Sequence, residues 1–147
     1  MKDKFMGGIA SGFAGSIVKD MLGVIFLYVI KLTRLTYWDY AGYLVLLRQP
    51  KGAIEHLFST FVELLFGMSL GVIYAYLAPL LSCKYNLIKG AAYGTFIWFA
   101  ISMAVLVFKL NIEGHARLNT AIANFLTAVA YGVVTAIANS YFNEKSE

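Results

Sequence analysis

Three ionisable side chains, Lys19, Asp20 and Glu63, stand inside long apolar runs, where hydrocarbon surroundings penalise charge. A charge near the middle of a membrane helix costs roughly 2.5–3.5 kcal/mol on insertion scales, so each needs a counter-ion, water or a proton. Stepping about 100° per residue puts Lys19 on one stripe with Gly8, Gly12, Gly15 and Gly23, while Asp20 points about 100° away, toward Ser16 or an aqueous edge. The same projection groups Glu63 with His56, Thr60, Gly67 and Gly71. At about 1.5 Å of rise per residue, all three charges lie within roughly 6 Å of their helix midpoints, toward the same end. The spacing predicts a Lys19–Glu63 ion pair. It serves either as a structural clip or as a proton-carrying site.

Uncharged polar residues extend the pattern. Thr120, Asn124, Tyr131, Thr135 and Asn139 share a stripe of the last apolar run, and Thr95 and Ser102 lie in the third. Asn124 and Ser102 fall in the same half as the charges. A polar cluster of Lys19, Asp20, Glu63, Ser102 and Asn124 is therefore expected, lining a wet cavity that opens toward the first and third connections. The alternative is that these groups are interhelical hydrogen-bond glue.

Other reactive side chains point to no chemistry. His56 beside Glu55 and His115 near Glu113 sit at run boundaries and read as interfacial side chains. The single Cys83 has no partner for an internal disulfide, and with two His it makes no metal-ligand cluster. Gly7, Gly8 and Gly12 lie inside an apolar run with no preceding strand, which excludes a phosphate cradle. No nucleophile–base arrangement or paired acids with catalytic context is present. Neither enzyme activity, a metal nor a cofactor is expected.

The elements that must hold these residues follow from composition. Of 147 residues, 60% are hydrophobic and 14% charged, against roughly 25% charged in soluble chains. The charges cluster at segment ends, leaving runs of about 20 residues or more, enough to cross roughly 30 Å of hydrocarbon. Four spans are predicted, 5–30, 53–81, 86–110 and 118–142, in one all-α transmembrane domain covering 1–147. The runs lack dyad alternation, which excludes a barrel. The first is too long for a cleaved leader, whose apolar core is about 7–15 residues. The net charge of +4 is spread over helix ends, where lipid headgroups attract it, so the expected partner is the bilayer and not nucleic acid. A partner protein is not identified, and a homo-oligomer is left open.

The longest connection, from Lys31 to Gly52, holds Tyr37, Trp38, Tyr40 and Tyr43 among charges. Its apolar piece Tyr40–Leu47 is too short to cross and is expected to lie in the headgroup plane or to dip in briefly. Pro50 suits the start of the second helix. The later connections are short, favouring two antiparallel hairpins in one bundle. Small residues recur four apart at Gly8-Gly12-Ser16, Gly67-Gly71-Ala75, Gly90-Gly94 and Ala128-Gly132-Ala136-Ser140, marking helix-contact faces. Ala92-Tyr93-Gly94 recurs as Ala130-Tyr131-Gly132, a match that alanine-rich helices also produce by chance. Trp98 is expected to pack and Trp38 to sit in an aromatic belt. Lys2, Lys4, Lys84, Lys89 and Lys145 oppose Lys31, Arg34, Arg48, Lys51, Lys109 and Arg117, so the positive-inside rule decides nothing. Both termini are expected in the cytoplasm, with dual insertion as the alternative.

The stretch Lys89-Gly90-Ala91-Ala92-Tyr93-Gly94-Thr95-Phe96-Ile97-Trp98-Phe99, with Leu118-Asn119-Thr120 and Tyr131-Gly132, resembles small bacterial YqhR-type membrane proteins. The opening Gly8-Ile9-Ala10-Ser11-Gly12 through Val18-Lys19 is similar to YagU-like inner-membrane proteins. The resemblance implies a compact bacterial cytoplasmic-membrane protein with no catalytic residues to carry over. The expected function is a structural or partner-binding membrane component, the alternative a small proton- or cation-coupled transporter using Glu63.

Overall fold

A computed structural model describes residues 4–81, 84–109 and 118–144. Cys83, Glu113 and His115 lie outside the described residues, as do Lys2, Arg117 and Lys145. Regular structure among the described residues is entirely helical. Helix α1 (Lys4–Val24) runs into a π-helical turn, Ile25–Val29. It is followed by α2 (Tyr37–Leu46), α3 (Gly52–Leu77), α4 (Asn86–Val107) and α5 (Leu118–Glu144). Four segments are long and apolar enough to cross a membrane: Lys4–Val29, Gly52–Leu80, Asn86–Val107 and Leu118–Phe142. They coincide with the four predicted runs to within a few residues.

Local chemistry sets the ends. The chain leaves α1 at Lys31, whose φ of 55° breaks the helical path. Pro79 lacks an amide hydrogen and cannot continue α3, which closes in a 3-10 turn at Ala78–Leu80. Asp39 caps the start of α2: the Thr36 amide donates to Asp39 Oδ2 at 2.9 Å, and the Thr36 hydroxyl donates to the same oxygen at 2.8 Å.

Packing follows the small-residue faces. Helix α1 packs against both α3 and α5, and α4 packs against α5. A Cβ on Gly12 would come within 2.5 Å of the Gly67 carbonyl and 2.9 Å of Gly71 Cα. Gly8 faces Gly71 and Val72 in the same contact. Across the other contact, a Cβ on Gly90 would meet the Gly132 carbonyl at 2.5 Å, and Gly94 faces Ala128 and Val129. Backbones this close gain dispersion contacts that larger residues would forbid. Because α3 spends its glycine face on α1 and α4 spends its own on α5, these two neighbours in sequence turn bulky sides toward each other. They meet through Tyr74 and Tyr93, whose ring centroids are 5.0 Å apart, and a cavity opens beyond that contact.

The segment expected at the membrane interface is helix α2, which docks on α3 and buries Asp39, Tyr40, Ala41 and Gly42. Gly42 permits this approach, since a Cβ there would meet both Pro50 Cδ and the Ser59 hydroxyl at 2.8 Å. Trp98 packs edge-on against Phe125, with centroids 5.4 Å apart.

Candidate functional site: a buried ion pair beside an apolar cavity

The predicted stripes bring Lys19 and Glu63 together inside the α1–α3 contact. The Lys19 ammonium donates to Glu63 Oε1, and the two residues are only 6% and 4% exposed. Asp20 does not turn away: its Oδ1 lies 3.5 Å from Lys19 Nζ, making the site a triad. One positive charge therefore stands between two carboxylates, and the formal sum with both ionised is negative. Lys19 also sits 4.6 Å from the centroid of the Tyr37 ring, whose face adds cation–π attraction.

Asn124 joins through the tyrosines of α2. Tyr37 donates its hydroxyl proton to the Asn124 carbonyl at 2.9 Å, and Asn124 Nδ2 donates to the Tyr40 hydroxyl at 3.2 Å. Burial pushes the Tyr40 hydroxyl up to about 12 and raises Tyr37 as well, so both stay protonated near neutral pH. A pocket of about 10 Å³ lies among Lys19, Asp20, Thr33, Thr36, Asn124 and Thr127. That is room for about one water, with polar groups to bind it.

On the other side of the pair lies the cavity between α3 and α4, about 420 Å³ in volume. Of the expected polar lining, Lys19, Asp20 and Asn124 border the water-sized pocket, whereas this larger space is of another kind. Its walls are almost wholly apolar, with Leu70 and Ile73 from α3, Phe96, Ile97 and Ile101 from α4, and Ala128 at the floor. Lys19 and Glu63 border it, and Glu63 Oε2 is buried without a hydrogen-bond partner. Ser102 is half-buried on α4 and borders neither space. The other polar positions of the last run, Thr120, Asn124, Tyr131, Thr135 and Asn139, are all buried in the bundle.

Two residues gain roles that the sequence signalled only as a recurrence. Tyr93 donates to the Leu70 carbonyl and Tyr131 to the Gly67 carbonyl, each at 2.6 Å. The two matching triplets thus deliver hydroxyls to successive turns of α3. The parts of α2 that complete the site, Tyr37 and the Thr36–Asp39 cap, were legible only as interfacial composition.

Among the described residues no group of three His, Cys, Asp or Glu gathers to hold a metal ion. The carboxylates of Asp20 and Glu63 are engaged by an ammonium, which is what a cation would have to displace. His56 Nδ1 stands 4.0 Å from Asp39 Oδ1 at the rim. No family model, curated protein or solved structure matches the chain.

Proposed function

We propose that this chain is a multi-pass protein of a bacterial cytoplasmic membrane, its spans paired as two antiparallel hairpins and both ends in the cytoplasm. It acts as a structural or partner-binding component, and Lys19–Glu63 is the clip that sets the register of α1 against α3. The observation that carries this reading is the burial of that pair within a glycine contact, while the outward faces of the same helices hold large apolar residues such as Phe13, Met21, Phe61 and Phe66. A polar interior with an apolar exterior is the distribution a bilayer selects. A second reading, a proton- or cation-coupled transporter, is favoured by one observation, the unpartnered Oε2 of Glu63.

Insertion and orientation are tested together on intact cells with a membrane-impermeant thiol reagent. Native Cys83 should be shielded, whereas cysteine introduced at Arg34 in a Cys83→Ser background should be labelled. Labelling of Cys83 with protection of position 34 would reverse the orientation. Release of the protein from membranes by an alkaline wash would reject insertion.

A further inference from the structure

The buried triad holds more acid than base. Lys19 is the one ammonium against two carboxylates, Glu63 in direct contact and Asp20 Oδ1 at 3.5 Å. Among the described residues no second cation pairs with either carboxylate. From α2 the triad faces the neutral Tyr37 ring, and from α5 the uncharged Asn124 and Thr127, with Tyr131 committed to the Gly67 carbonyl. The charged groups near the start of α3 are engaged elsewhere, His56 beside Asp39 and Glu55 on Arg48, and Lys31 and Arg34 of the first connection are exposed. Net charge buried at membrane depth is costly unless it is paired, hydrated or removed by a proton.

Access separates the two acids. Glu63 is enclosed in the α1–α3 contact, 4% exposed. The Asp20 side chain is 19% exposed, and its residue borders the pocket of about 10 Å³ together with Thr33, Thr36 and Asn124. One water fits there, and one water is enough to carry a proton to a carboxyl group. A metal cation would sit against the Lys19 ammonium, which borders the same pocket, whereas a proton takes no room.

We propose that Asp20 is a proton-binding site that sets the strength of the clip. At neutral pH Asp20 holds a proton taken from bulk water through the pocket, and Lys19 belongs to Glu63 alone. Release of that proton returns a second carboxylate to Lys19 and leaves one negative charge unbalanced where α1 meets α3. The inference deepens the clip reading above and rests on it for its effect, while the site itself rests on the count of charges and on access.

Infrared spectra of the full chain in lipid vesicles read the C=O stretch of a protonated carboxyl group, which ionised carboxylates lack. At neutral pH one such band should be present, should shift with isotope-labelled aspartate and not with labelled glutamate, and should vanish in Asp20→Asn. Raising the pH should abolish the band in the native protein and lower its Tm, because the folded state binds a proton that the unfolded chain does not. The Tm of Asp20→Asn should not fall over that range. No band at neutral pH, a band that follows glutamate, or one that survives Asp20→Asn would overturn the proposal, and a Tm that falls equally in both proteins would overturn the effect on the clip. If Asp20→Asn does not fold, a chain carrying Asp3→Asn and Asp39→Asn has Asp20 as its only aspartate, and the aspartate band must persist there. A band without coupling between Lys19 and Glu63 in unfolding would remove the clip and keep the site; coupling without a band would do the reverse.

Discussion

Tyr131 on α5 donates its hydroxyl proton to the carbonyl of Gly67 on α3 at 2.6 Å, joining two helices that each pack against α1. A helical carbonyl has a second lone pair, so this bond adds to the helix ladder and replaces none of it. Tyr131→Phe keeps the ring and deletes the donor. The expected loss is about 1 kcal/mol, and Tyr93→Phe should lose a similar amount at Leu70. Reversible unfolding in mild detergent measures both, and unchanged stability in both variants would deny the bonds a structural role.

Glycine contacts make a sharper prediction because two glycines of α1 differ in surroundings. Gly12→Val puts side-chain atoms where the Gly67 carbonyl and Gly71 Cα already are, and should destabilise by about 1–3 kcal/mol or prevent folding. At Gly7 the nearest atom to a Cβ is 3.8 Å away, so Gly7→Ala should be neutral or stabilise by up to about 1 kcal/mol through helix propensity. Thermal unfolding of the pair checks the register of α1 on α3, and equal effects would argue against it.

Much of this arrangement was legible before any coordinates. Four long apolar runs dictated four helices, and projection at the helical angle put Lys19 and Glu63 on the glycine stripes that later face each other. The projection separates Asp20 from Lys19 by about 100°, yet a flexible ammonium still reaches the carboxylate of the next residue, at 3.5 Å. The apolar space between α3 and α4 carried no signal in the sequence. Helical periodicity says which face of a helix is small, but not that α3 and α4 would give their small faces to other partners and leave an apolar gap. Docking of α2 depended on Gly42 meeting Pro50 and Ser59, a close approach that no periodic pattern encodes.

The cap of α2 is testable in isolation from the charges. Asp39 accepts from both the amide and the hydroxyl of Thr36, and Asp39→Ala should cost about 1 kcal/mol in helix stability. Amide hydrogen exchange over residues 37–46 should quicken while α5 stays protected. Retained protection of α2 would mean that burial against α3, not the cap, orders it.

Arg48 and Glu55 offer a contrast on the surface. Arg48 binds both carboxylate oxygens, at 2.9 and 2.6 Å, yet the arginine side chain is half exposed. Solvent and side-chain entropy offset such pairs, so Arg48→Ala should leave stability close to that of the native protein. A larger loss in denaturant unfolding would show that this pair anchors the first connection.

The central claim is that Lys19 and Glu63 clip α1 to α3, and a double-mutant cycle on unfolding free energy tests it directly. Lys19→Met strands two carboxylates and should destabilise by about 3–5 kcal/mol. Glu63→Gln leaves Lys19 with Asp20, 3.5 Å away, and should cost less. The double variant should be less destabilised than Lys19→Met alone, so that the coupling exceeds the whole cost of Glu63→Gln. If Glu63→Gln is neutral or stabilising and the two changes simply add, the pair is no clip, and Glu63 is kept for proton or cation movement instead.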